Sequence, residues 1–162
     1  MKKLAAGLAT LALTITINGA PNVEATTAKP TGPCTGYGVN RQMDHDVIHH
    51  RMHALIRCAF GWVGIDDAHA AQQIVDRESG HWPWATNPAE RGACHPWSGS
   101  SYGSCGLGQH LSRYWAGRVQ TFLKASWFPK SWPRVSPLHA RANALVTARM
   151  WKAQGGACPA WC

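Results

Sequence analysis

Apolar residues recur at helical spacing in four stretches of the chain. Ile48, Met52, Leu55, Ile56 and Ala59 form one stripe and predict a first helix over residues 44–60, with Gly61 and Gly64 bracketing the turn after it. Ala68, Ala71, Ile74 and Val75 form a second stripe, opened by a capping Asp66 and closed by Ser79-Gly80. Leu111, Tyr114, Trp115, Val119, Phe122 and Leu123 predict a third helix over residues 109–124. Ser136-Pro137, a cap followed by proline, starts a last helix through Leu138, Ala142, Leu145, Ala148 and Trp151, which Gly155-Gly156 stops. Between the second and third helices Gly, Pro and Ser dominate, so residues 81–109 read as a loop region with a short hairpin. Trp127-Phe128-Pro129 and Trp132-Pro133 force an irregular connection before the last helix.

The stretch before the first helix has a different character. Lys2-Lys3, the charge-free run 4–17 and the small residues around Val23-Glu24-Ala25 make a secretory signal peptide of residues 1–25, cleaved near Ala25. The apolar run is shorter than the roughly 20 residues a spanning helix needs, which argues against a stable membrane anchor. Residues 26–40, rich in Thr, Pro and Gly, read as a linker or lead-in tied down by Cys34, and residues 41–162 as one domain.

All six cysteines lie beyond the signal peptide, which fits an oxidising compartment and disulfides. Cys94 with Cys105 is the leading pair, because the two flank a turn-rich segment. Cys34, Cys58, Cys158 and Cys162 are left without assigned partners, the last two fastening the C-terminal end to the body. Zinc is the rival use of cysteine, and no pair has two-residue finger spacing. The 16 Lys and Arg against 8 Asp and Glu give a formal charge of +8. Removing Lys2, Lys3 and Glu24 with the leader leaves +7, which suits anionic wall polymers. The basic residues are dispersed and carry no recognition motif, so nucleic acid is not the expected partner.

One carboxylate stands out. Glu78 follows Val75 by three residues and Ile74 by four, which places it on the buried side of the second helix, in its last turn. A carboxyl group there costs several kcal/mol or so unless it stays protonated, which marks Glu78 as a proton donor. Ordinary glycosidases need a second carboxylate about 5–10 Å away. Asp66 and Asp67 lie about 16 Å up the same helix, and Asp76 points roughly 200° away from Glu78. Glu90, in the long loop, is the one nearby candidate for a second acid.

The order Glu78-Ser79-Gly80, Ala85-Thr86-Asn87-Pro88 and Gly106-Leu107-Gly108-Gln109, with Trp115 further on, resembles the lysozyme-like domain of secreted lytic transglycosylases. The likeness is greatest to the small forms of high-GC Gram-positive bacteria and their phages. It covers roughly residues 62–120. Two features depart from the family: the segment 88–105 is longer and carries two cysteines, and the Ala-Tyr-Asn triplet of the larger enzymes is absent. The resemblance implies a mainly α fold of the α+β lysozyme-like kind, a disulfide-stabilised helical bundle with a short hairpin or loop insertion. It also implies cleavage of peptidoglycan between N-acetylmuramic acid and N-acetylglucosamine, with a 1,6-anhydro product and no cofactor. Glu78 would serve as acid and then base, Ser79 and Gln109 would be polar groups oriented towards substrate or Glu78, and Tyr102 would be a cleft contact.

Nine tryptophans invite a sugar-stacking role, and Trp82, Trp84 and Trp97, in loops beside Glu78, are the candidates. Trp115 and Trp151 are expected in the core. His45, His49 and His53 recur every four residues on the flank of the first helix, a spacing that suits a metal clamp. No orienting partner is identifiable for them, so a solvated row is expected and no metal. The competing functions are a hydrolytic muramidase using water placed by Glu90, and a non-catalytic peptidoglycan-binding protein. Each would be secreted or wall-associated.

Overall fold

A computed structural model of the chain describes residues 31–87, Cys94 and residues 103–156. Residues 1–25, Glu90, Trp97, Tyr102, Cys158 and Cys162 lie outside them, and so do the expectations that rest on those residues. Helix α1 (His45–Trp62) opens at Asp44, whose carboxylate accepts from the Asp46 amide at 2.8 Å. Its predicted stripe, Ile48, Met52, Leu55, Ile56 and Ala59, is buried, with Phe60 added. The helix runs through Gly61 to Trp62 with Val63 as its C-cap, and Gly64 follows with φ of 74°, a conformation that favours a residue without a Cβ.

Helix α2 (Ala68–Ser79) is capped by Asp67 rather than Asp66: the Asp67 carboxylate accepts from the Ala70 amide at 3.0 Å. Either of two adjacent aspartates satisfies the cap preference, and the fold selects the second. Gly80 closes α2 in the left-handed conformation, with its amide bonded to the Asp76 carbonyl at 2.8 Å. His81 follows with φ of 60°.

Two further predicted starts are displaced. Helix α3 (Ser112–Phe122) begins three residues after Gln109, because His110–Leu111 (β2) pairs with Ser104–Cys105 (β1) in a two-stranded antiparallel sheet. Residues 106–109 are thereby the turn of a hairpin, and cross-strand pairing overrides the helical periodicity. Helix α4 (Ala140–Ala153) is capped by His139 rather than Ser136. Ser136 makes a turn first: its hydroxyl accepts from the Leu138 amide at 3.1 Å and its carbonyl from the His139 amide at 3.0 Å. The Pro137 carbonyl goes to the Asn143 side chain at 2.8 Å and not into the helix ladder.

Helix α4 is the centre of the described fold, buried on nearly every side and packed on α1 and α3, while α2 packs on α1. Ala142, Ala144 and Ala148 let the neighbouring helices approach it, and Leu145 and Val146 fill the space between them. Trp151 meets Phe60 edge-on at 5.5 Å, and the Trp115 indole, fully buried, donates to the Val135 carbonyl at 2.6 Å. Both tryptophans are core residues, as expected. Disulfides Cys94–Cys105 and Cys34–Cys58 are formed. The first is the expected pair, and the second joins the lead-in to α1. Among the described residues the chain is thus an α+β fold of four α-helices with a small sheet, and none of these helices is long and apolar enough to cross a membrane.

Candidate functional site

Glu78 occupies the last turn of α2, after Ile74 and Val75, which are 6% and 2% exposed. It is itself half-buried, and burial pushes its carboxyl above the ordinary carboxylate range against the opposing pull of Arg77. Four other described carboxylates are engaged elsewhere: Asp44 and Asp67 cap helices, Asp46 lies 3.7 Å from the His45 ring, and Asp76 lies 3.4 Å from the His81 ring. Ser79 turns its hydroxyl inward, donating to the Val75 carbonyl at 3.0 Å and finishing the helix.

The fold brings the separate sequence motifs together. Residues 85–87 run beside β1, with Thr86 bridged to Cys105, the Gly106 amide donating to the Ala85 carbonyl at 2.8 Å, and the Asn87 amide donating to Ser104 at 3.3 Å. Gln109 joins the same junction. Its Nε2 donates to the Gly106 carbonyl at 2.9 Å and to the Ala85 carbonyl at 3.3 Å. These bonds hold Gln109 at a φ of 42°, a conformation that costs a side-chain-bearing residue about 1–2 kcal/mol. Gly106 has φ of 73°, and a Cβ there would strike the Asn143 amide and the Pro137 carbonyl.

Behind the hairpin lies a polar cluster that sequence reasoning missed. Asn143 on α4 accepts from the Gly108 amide at 2.8 Å and donates to the Cys105 carbonyl at 3.0 Å. His110 is buried with Arg118 donating to its Nδ1 at 2.7 Å, so its Nε2 carries the hydrogen that reaches Thr147 Oγ1 at 2.9 Å. Burial, and then the Arg118 charge, hold its pKa down at about 3. Asn143 falls outside the apolar stripe Leu138, Ala142, Leu145, Ala148 and Trp151, so the periodicity gave no warning that it is buried. Asn143 and Thr147, four residues apart and so on one face of α4, were the available signal.

Trp82 and Trp84 are half-buried and meet edge-on at 5.2 Å. Trp82 stacks on His45 at 5.5 Å, while the Arg41 guanidinium sits over Trp84 at 5.4 Å. Trp84 also lines a cavity of about 610 Å³ together with Tyr37, Trp127, Phe128 and Arg141. A cleft of about 540 Å³ is lined by His49, His53, Arg57, Gln72, Asp76 and His81. Glu78, Ser79 and Gln109 line neither space.

The histidine row of α1 is not simply solvated. The turn at Gly80 lays His81 against it, stacked on His53 at 4.0 Å between ring centres and edge-on to His49 at 4.9 Å. One ring nitrogen from each of His49, His53 and His81 lies within 4.8 Å of the other two, the arrangement among the described residues able to hold a metal ion. Burial, with the neighbouring His53 and His49, lowers the His81 pKa to about 4. The sequence placed His45, His49 and His53 on one helix face, but only the left-handed turn after α2 supplies the third ring.

No protein-family model matches the chain, and no curated protein or solved structure matches it.

Proposed function

We propose that the protein is a secreted peptidoglycan-degrading enzyme that cleaves the β-1,4 bond between N-acetylmuramic acid and N-acetylglucosamine by a single-glutamate lytic transglycosylase mechanism. The observation that carries this reading is Glu78: a half-buried carboxyl held above its usual range at a helix end, while Asp44, Asp67 and Asp76 are committed to other partners. The junction of residues 85–87 with the 106–109 turn supports it, because the motif segments that carry the resemblance are neighbours in space. The positive charge suits glycan strands embedded in anionic wall polymers.

In this mechanism the protonated Glu78 gives its hydrogen to the glycosidic oxygen as the bond to C1 of the muramic acid breaks. The substrate's acetamido group stabilises the cation that results. Glu78, now a carboxylate, takes the proton of the sugar's 6-hydroxyl as that oxygen attacks C1, which closes the 1,6-anhydro ring and restores the acid. Water is not consumed. A desolvated carboxyl favours the first step, since the neutral form is the one the environment stabilises.

Mass analysis of fragments released from purified wall tests the proposal. Anhydro ends support it, reducing ends replace it with a hydrolytic muramidase, and binding without release of fragments replaces it with a non-catalytic wall-binding protein.

A further inference from the structure

The geometry points to a second site, separate from Glu78: His49, His53 and His81 bind one divalent transition-metal ion of the imidazole-preferring class, with Zn2+ the expected occupant. The site stands on three observations. The first is convergence, one nitrogen per ring within 4.8 Å of the others, across two elements of structure, with His49 and His81 32 positions apart in the chain. The second is a pair of buried ring nitrogens without hydrogen-bond partners, His53 Nε2 and His81 Nδ1. Buried polar atoms are nearly always satisfied, so two together in one cleft point to a ligand that satisfies both.

The third is the wiring behind His81. Gln72 Nε2 donates to the His53 carbonyl at 2.7 Å, which fixes the orientation of the Gln72 amide and leaves its Oε1 as acceptor. That oxygen lies 2.9 Å from His81 Nε2, so Nε2 carries the ring hydrogen. His81 Nδ1 is therefore a bare lone pair, and it faces Asp76 Oδ1 at 3.4 Å. Two lone pairs in contact repel, and a cation beside them removes the conflict. An outer hydrogen bond that fixes the tautomer and aims the other nitrogen is the usual support of a metal-bound histidine.

Three neutral imidazoles select Zn2+, Cu2+ or Ni2+ over Ca2+ and Mg2+, which require oxygen ligands. Zinc–nitrogen bonds of about 2.0–2.1 Å set ligands on one tetrahedral ion about 3.4 Å apart, so the rings must draw together on loading. His49 is half-buried in the wall of the cleft. Arg57 lines the same cleft and opposes a dication, while Asp76, 3.4 Å from His81 Nδ1, offsets it. A bound ion would staple the turn after α2 to α1, fixing the helix end on which Glu78 sits.

The test is titration calorimetry and thermal unfolding of the purified, untagged protein with Zn2+, alongside Ca2+ as a control and Co2+ as a spectroscopic stand-in. The expected result is one Zn2+ per chain, a higher melting temperature with Zn2+ and none of this with Ca2+. His49→Ala and His53→Gln should each bind at least about tenfold more weakly. His45→Ala and His50→Ala, on the same helix but outside the cluster, should bind like the wild type. Absence of Zn2+ binding at about 100 µM would overturn the site. So would equal losses in His45→Ala and His49→Ala, which would mean helical histidine pairs alone bind the ion. His81→Gln separates the two cases directly where it folds; where it does not, tetrahedral Co2+ bands in the wild type that vanish in His53→Gln support the three-ring site, and octahedral bands refute it. Because binding and unfolding are the readouts, the result does not depend on whether the protein cleaves walls.

Discussion

Asn143 Oδ1, deep in α4, accepts the backbone amide of Gly108 at 2.8 Å, and so one side chain of the central helix holds the hairpin turn 35 residues earlier in the chain. Its Nδ2 is divided between the carbonyls of Cys105 and Pro137. Asn143→Ala would leave one buried donor and two buried acceptors unmet. At about 1–3 kcal/mol for each unsatisfied group, the expected loss is roughly 3–5 kcal/mol, read as a lower urea midpoint with an unchanged slope. Asn143→Asp keeps the bond to Gly108 but turns an anion towards two carbonyls, so it should be no better than alanine.

Glu78→Gln separates chemistry from scaffolding. Glutamine keeps the volume but has no proton to give, and wall clearing should fall by at least about 100-fold. Stability should not fall with it. Burial raises the folded-state pKa of Glu78 above its unfolded value, so between the two values the native state holds the extra proton. The wild type therefore loses stability as pH rises through that window, and Glu78→Gln does not. Melting curves should show the variant equal to the wild type near pH 3.5 and equal or higher at pH 7. A variant that clears walls as fast as the wild type would remove Glu78 from the mechanism.

Periodic elements were legible because a stripe on a long helix has few ways to be satisfied: α1 buries Ile48, Met52, Leu55, Ile56 and Ala59 behind an Asp44 cap as its pattern requires. Boundaries decided by tertiary contacts were not. Leu111 belongs to the apolar stripe of the helix predicted from Gln109, yet pairing of β2 with β1 takes His110 and Leu111 and delays α3 to Ser112. Ser136-Pro137 obeys the local rule for a helix start, but Asn143 captures the Pro137 carbonyl and the helix opens at Ala140. At the site, Glu78 could be singled out because its position in the stripe conflicts with its charge. His81 could not, since only a left-handed Gly80-His81 pair folds it onto α1, and the sequence shows the glycine without the direction of the turn.

His110 makes stability depend on acid. With its pKa held at about 3 in the fold by burial and by Arg118, it stays neutral where the unfolded chain's histidine, near 6.5, takes a proton. Stability is therefore full above about pH 6.5 and declines on acidification towards pH 3, at up to about 1.4 kcal/mol per pH unit for this residue. His81, held at about 4, adds to the same decline. Denaturant unfolding at several pH values should show a shallower acid limb in His110→Gln than in the wild type; an identical limb would mean that His110 titrates alike in both states.

The disulfide Cys94–Cys105 closes a loop of 11 residues in sequence separation against β1. Loop-closure entropy gives it about 3 kcal/mol. The double variant Cys94→Ser with Cys105→Ser should lose about that much stability while α1 and α4, which pack on each other, keep their helical signal in circular dichroism. Loss of all helical signal at room temperature would show instead that the hairpin is required for the helices to pack.

Gln109 offers a way to tell a positioning residue from one whose side chain meets the substrate. Its backbone φ of 42° is costly for any residue with a Cβ, and its amide nitrogen donates to the carbonyls of both Ala85 and Gly106. Gln109→Ala keeps the strain and loses both bonds. Gln109→Gly loses the same bonds but relieves the strain, so glycine should be more stable than alanine by about 1 kcal/mol. Gln109→Glu has no amide hydrogens and would set a carboxylate against two carbonyl oxygens, making it the least stable of the three at pH 7 and closer to alanine at pH 4, where the carboxyl gains a proton to donate. If glutamate instead matches the wild type in stability at pH 7, the amide contacts to Ala85 and Gly106 do not hold the junction, and the side chain is free to serve the substrate.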